Sequence, residues 1–299
     1  MDEGERLDVL KQAERLSGTT DDPLPRHLPP AAPPKSELVP PARAEVVPFL
    51  GTHQILDALD KDETGDAELL ATLYADRIVY DHAERQWYLW NGQHWQPDDT
   101  GFMVRLVSDQ VAAQYLRAAA DRTGLGATSK EQKAEIDALI QRARHLRRKY
   151  RIKNVLELAR SQPVGISGDQ WDADPWLLGC ANGTINLSTG TLQPGAPDDY
   201  IRTVSPTVWK GPDEPASRWE EFLREVFVID SEPELELIEF VQRLLGYGMT
   251  GKCTEHVLPI LWGEGRNGKD TLLETLRHVL GPWADAIARS LLLERAAGK

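Results

Sequence analysis

Residues 257–280 read VLPILWGEGRNGKDTLLETLRHVL, and they leave few folds open. Val257 to Trp262 is an apolar run of the kind that forms a buried strand, which requires neighbouring strands on a sheet. Gly263 follows at once, and Gly263 to Lys269 completes the pattern G-x-x-x-x-G-K. From Lys269 onward, Leu272, Leu273, Leu276, Val279 and Leu280 recur at helical spacing. Strand, glycine loop and helix in that order is the context in which such a loop cradles phosphate. Glycines let the backbone turn several N–H groups inward as a nest, and the helix N-terminus adds roughly half a positive charge. Lys269 supplies a full charge. Gly263, Gly265, Asn267, Gly268, Lys269, Asp270 and Thr271 are therefore the candidate nucleotide-binding residues. ATP with Mg²⁺ is the expected ligand. The residue after the lysine is commonly Ser or Thr, whose hydroxyl ligates the metal. Here it is Asp270 followed by Thr271. Three outcomes stay open at this point: Asp270 or Thr271 ligates the metal directly, the metal is held through water, or binding is weakened by an aspartate near phosphates.

Upstream, the chain has three textures. Residues 1–20 carry a short amphipathic pattern through Leu7, Leu10 and Leu16, and residues 21–48 are dense in proline. Proline fixes φ and removes N–H donors, so this stretch reads as a semi-rigid linker. Residues 49–250 alternate short strands with amphipathic helices. Helices are expected over His53–Asp60, Asp66–Ala75, Phe102–Ala120, Lys130–Tyr150, Asn154–Ser161, Pro215–Phe227 and Pro233–Gly246, the last capped by Gly246. Strands are expected at Ile78–Tyr80 and in two hairpins. One turns at Asn91-Gly92 as a type I′ turn, the other at Asn182-Gly183 between Trp176 and Leu187. Trp87, Trp90 and Trp95 read as strand packing in preference to base stacking. Residues 251–299 contain the glycine loop. The fold class expected is thus an α+β accessory domain followed by the first strand–loop–helix of an incomplete α/β P-loop domain.

Charge is unevenly spread. The net charge is −13, which argues against coating nucleic acid through bulk charge. Yet residues 142–153, RARHLRRKYRIK, are strongly basic. Cations at a helix C-terminus complement its dipole, but this cluster exceeds what one terminus uses. Arg142, Arg144, Arg147, Arg148, Lys149 and Arg151 are candidate contacts to a DNA phosphate backbone. Cys180 and Cys253 stand far apart in no metal-ligand spacing. No apolar run is long enough to span a bilayer, and the charged N-terminus lacks a secretory core, so a cytoplasmic location is expected.

The order LGYGMTG (245–251), an apolar run, GEGRNGKDT and a leucine-rich helix ending in LGPWA (280–284) resembles the phage and plasmid primase–helicase family. These are superfamily 3 helicases of the poxvirus type, with an AAA+ motor. LATLYADRIVYD (70–81), the tryptophan hairpin, CANGTINLSTGTL (180–192) and RWEEFLREVF (218–227) are similar to the accessory domain that precedes that motor. The resemblance implies an ATP-dependent DNA helicase of phage or plasmid replication, acting on DNA as a hexameric ring, with a primase domain as partner. It also implies a Walker B strand with acidic residues, a polar sensor and an arginine finger downstream of the loop helix. Only a short segment ending in ARSLLLERAAGK follows here, with Glu294 and Arg295 off any apolar strand. The chain is accordingly expected to be a truncated, hydrolytically incomplete portion of such a helicase. The alternative is a non-catalytic DNA-binding or primase-docking module with a vestigial P-loop. A small nucleotide kinase is disfavoured, because the loop comes too late for a complete P-loop core.

Overall fold

A computed structural model describes residues 49–126, 129–229, 232–263, 265 and 267–287. The expected N-terminal helix, the proline-rich linker, Glu294 and Arg295 lie outside the described residues.

The first layer is helical. Helices α1 (Thr52–Asp60) and α2 (Asp62–Leu73) form a tight pair. They can approach because residue 65 is glycine: a Cβ there would stand 2.0 Å from the Ala58 carbonyl oxygen. A long helical stretch follows as α3 (Phe102–Arg105), a π-helical segment (Leu106–Val111) and α4 (Ala112–Gly124). Helix α5 (Lys130–His145) opens on a capping box, with Ser129 and Gln132 satisfying each other's backbone N–H. Helix α6 (Lys149–Ala159) completes the layer. The expected single helix over Lys130–Tyr150 is corrected here. The chain breaks at Leu146–Arg148, where the Leu146 side chain is fully buried and the Arg148 backbone adopts an extended conformation.

Two small sheets share one topology. In the first, β1 (Ile78–Asp81), β2 (Gln86–Trp90) and β3 (Trp95–Pro97) form an antiparallel meander. Strand β4 (Gly165–Ile166) returns through the helices to lie parallel beside the last two residues of β1. In the second, β5 (Leu177–Cys180), β6 (Gly183–Asn186) and β7 (Thr191–Gln193) make the same meander, and β8 (Val204–Ser205) lies parallel to the last two residues of β5.

The first sheet is buried on both faces, and strand alternation sorts its residues. Ile78, Tyr80, Trp87 and Leu89 pack into the helical core. Val79, Tyr88 and Ile166 face the opposite way, against Trp95 and Trp171. The tryptophans of the hairpin therefore work as packing, as expected. The hairpin is a four-residue loop (91–94) and not a type I′ turn. Asn91 Oδ1 accepts the backbone N–H groups of Gln93 (3.0 Å) and His94 (2.9 Å), which makes a side-chain-closed loop the better solution. In the second hairpin Gly183 already pairs with Cys180, so the turn residues are Ala181 and Asn182.

After β8 come α7 (Ser217–Val226), the short antiparallel strand pair β9 (Val228–Ile229) and β10 (Glu232–Pro233), and α8 (Leu235–Met249). Helix α8 runs through Gly246, so that residue does not cap it; the cap is Thr250. Helix α9 (Lys269–Leu280) starts and stops where the sequence pattern places it.

Candidate functional site: the glycine loop and the basic corner

The glycine loop ends at Gly268, which caps α9 in the left-handed region at φ 81°. A Cβ at this position would also meet Val226 Cγ2 at 2.5 Å and the Phe222 ring at 3.2 Å. Both demands select glycine; the first is set by the backbone at the helix cap, the second by packing the loop onto α7. The Lys269 ammonium folds back into the loop, donating to the Gly263 carbonyl (3.1 Å) and to Asn267 Oδ1 (2.6 Å). Gly265 and Asp270 are exposed, as is Thr271, the third residue of the helix. The first turn of α9 thus stands beside a lysine ammonium held within the loop, and a helix N-terminus is the end that favours an anion. Glu264 and Arg266 lie outside the described residues.

What stands behind the loop differs from the sequence expectation. Val257 to Trp262 forms no strand, and Leu258, Ile260 and Trp262 are each about four-fifths exposed (79%, 79% and 82%). A strand needs a partner for its backbone N–H and C=O groups, and among the described residues no strand pairs with this segment. The run lines a cavity of about 880 Å³ together with Phe240, Val241 and Tyr247 of α8. Asn267, Lys269 and Leu272 line it as well. Of the apolar stripe expected on α8, Leu235 and Phe240 remain more than half exposed and Val241 is buried.

The far end of α9 is bonded to the second sheet. The hydroxyls of Ser205 (2.6 Å) and Thr207 (2.8 Å) both donate to the Val279 carbonyl, which α9 itself leaves unsatisfied. Sequence reasoning missed these residues, since a hydroxyl 72 residues from its acceptor leaves no local signal.

The basic cluster divides in two. Arg142 and Arg151 turn inward, which corrects their assignment to a DNA surface. Arg151 donates to Asp66 through Nε (3.0 Å) and Nη2 (2.6 Å), and Nη2 also reaches Asp62 at 2.7 Å. Arg142 donates to Asp66 Oδ1 at 3.1 Å and to the Asp62 and Leu59 carbonyls at 3.0 and 3.2 Å. The Tyr115 hydroxyl adds a 2.6 Å bond to Asp66, whose side chain is fully buried. Burial pushes the Tyr115 hydroxyl pKa up, with the Asp66 carboxylate adding to the effect. The Arg151 hydrogen bond holds the Asp62 carboxyl below its ordinary value. A buried guanidinium requires this kind of partner, so the carboxylates at 62 and 66 decide which cations of the cluster are used for folding. Arg144, Arg147, Arg148, Lys149 and Lys153 remain exposed.

A second polar knot joins the first sheet to the segment before β8. Asp81, fully buried, accepts from Trp171 Nε1 (2.7 Å) and from the backbone of Ala83 (2.7 Å) and Glu84 (3.2 Å). Arg202 bonds Glu84 at 2.6 Å and lies over the Trp171 ring at 5.3 Å. Among the described residues no group of three or more His, Cys, Asp or Glu side chains is placed to hold a metal ion. Nor is any described helix long and apolar enough to cross a membrane.

Residues 67–228 match the family described as D5 N terminal like. A protein of Acanthamoeba polyphaga mimivirus that carries the name "Putative helicase" is 28% identical over 127 residues, 42% of this chain. The match covers 13% of that protein's own length.

Proposed function

The chain belongs to the D5 N terminal like family, and from that premise we propose that it forms part of a DNA-replicating primase–helicase that binds ATP at Gly263–Thr271. The observation that carries the reading is Lys269. Its ammonium is held inside a glycine loop at the N-terminus of a 12-residue helix, against oxygens that a phosphate would replace. Gly263, Gly265, Asn267, Gly268 and Lys269 would hold the triphosphate. Asp270 or Thr271 would offer an oxygen to Mg²⁺, a hard cation that takes such ligands. ATP supplies the phosphoanhydride bond, and Mg²⁺ neutralises its charge. The cavity beside Lys269, walled by Phe240, Tyr247 and Trp262, offers an apolar surface for the nucleoside. Unwinding, a hexameric ring and a primase partner are part of the proposal at the level of the whole protein. The location proposed is the cytoplasm.

One observation favours the alternative reading. Val257–Trp262 is exposed and unpaired where a P-loop motor has a central strand. On that reading the chain is a DNA-binding or primase-docking module. Titration of Mg²⁺–ATP by calorimetry, with the Lys269→Ala variant alongside, separates the two. Wild-type binding that weakens about tenfold or more in the variant supports the nucleotide site, since a phosphate would lose a full charge partner. Absent binding, or binding indifferent to Lys269, overturns it and leaves the docking module.

A further inference from the structure

The break between α5 and α6 changes the meaning of the basic cluster. Arg144 lies in the last turn of α5, where a cation complements the helix dipole. Arg147, Arg148 and Lys149 do not share that position. Arg148 caps the N-terminus of α6 and Lys149 is its first residue. The turn is tight, with the Arg147 and Arg148 backbone N–H groups donating to the Arg144 (3.3 Å) and His145 (2.9 Å) carbonyls. Three cations therefore crowd the positive end of a helix that has no acidic residue in its first turn. Helix electrostatics disfavours this arrangement, so the dipole does not account for it. Among the described residues, Arg144, Arg147, Arg148, Lys149 and Lys153 form no ion pair, whereas Arg142 and Arg151 of the same run are fully engaged. Beside them Tyr150 is 54% exposed.

We infer that this corner binds the phosphate backbone of single-stranded nucleic acid, with the five free cations on phosphates and Tyr150 stacking on an unpaired base. A self-repelling cationic turn in a chain of net charge −13 is matched by a strand carrying one negative charge per nucleotide. The exposed ring beside it suits a base that has left its duplex and has little to offer an acidic peptide. The inference rests on the reading that this protein works on DNA, and it does not depend on ATP binding.

The test is fluorescence anisotropy of the chain with a labelled oligothymidine of about 20 nucleotides, without ATP, across a series of salt concentrations. Three to five phosphate contacts predict a log–log salt slope between about −2 and −3.5. The triple variant Arg147→Gln, Arg148→Gln, Lys149→Gln should weaken binding about tenfold or more and flatten the slope by about 2. Its thermal midpoint should hold or rise, because repulsion at the helix end is relieved. Tyr150→Ala should weaken binding about fivefold or more at unchanged slope, as loss of one stacked base requires. A flat salt dependence, no binding, or indifference to the triple variant overturns the inference. So does tighter binding to duplex than to single strand, or equal competition by polyglutamate, which would indicate an acidic protein partner. Lys269→Ala should leave oligonucleotide binding intact, so a failed ATP titration and a failed strand titration remain distinguishable.

Discussion

Replacing Asp66 with Asn removes one negative charge from a fully buried position and leaves two guanidinium groups facing it. Four bonds converge on this carboxylate: one from Tyr115, one from Arg142 and two from Arg151. Breaking one side of a buried ion pair costs about 3–5 kcal/mol, chiefly because the remaining charge is left without compensation. Asp62 lies 2.7 Å from Arg151 and 2.9 Å from Arg142 and offsets part of that loss, so the lower end, about 3 kcal/mol, is expected. For a domain of this size that corresponds to a thermal midpoint lower by about 6–12 °C. Differential scanning fluorimetry with urea titration measures both quantities. The matched control is Asp62→Asn, whose side chain is 69% exposed and whose ion pairs are screened by water, for a loss under about 1 kcal/mol. If Asp66→Asn costs no more than Asp62→Asn, the ion network is not what fixes α1, α2, α5 and α6 together. An Asp66–Arg151 double-mutant cycle should return a coupling of about 0.5–3 kcal/mol, the range seen for contacting residues.

Acid should unfold the domain for a related reason. Hydrogen bonds and charge from Arg151 lower the Asp62 pKa; burial raises Asp81 but is outweighed by bonds from Trp171 and the Glu84 and Ala83 backbone; Tyr88 and Arg202 lower Glu84. In each case the unfolded chain binds the proton more tightly, so stability is full above about pH 4 and declines as pH falls through the depressed folded values. Asp199, raised by burial, acts with the opposite sign and blunts the decline. A urea midpoint that rises between about pH 4 and pH 3 would contradict the sign. Ser205→Ala should cost about 0.5–1.5 kcal/mol in urea titration, since it removes one of two donors to the Val279 carbonyl, and Thr207 limits the loss.

How much of this was legible in the sequence depends on the range of the forces involved. Helix α9 could be read from leucine spacing and a preceding glycine, both local signals. Strands β1 and β2 were legible because near-continuous apolar runs, IVY and WYLW, report strands buried on both faces, whereas the two-residue β4 was not foreseen, having no run of its own. Hairpin details were not, because Asn91 closes its loop with a side chain that a two-residue turn rule ignores. The basic run 142–153 looked uniform, since nothing within it shows that Asp62 and Asp66 remove two of its members about 80 residues away. Val257–Trp262 shows the converse: apolar composition declares an appetite for a sheet, and only neighbouring strands can satisfy it.

The hydroxyl pair at the end of α9 bears on motion. At about 1.5 Å per residue the helix is a rod near 18 Å long. Its loop end rests on Phe222 and Val226 through van der Waals contact, which tolerates sliding, whereas its other end is bonded to Ser205 and Thr207, which fix direction. A displacement imposed on the loop therefore becomes rotation about the Val279 carbonyl, and the torque is delivered to the edge strand of the second sheet.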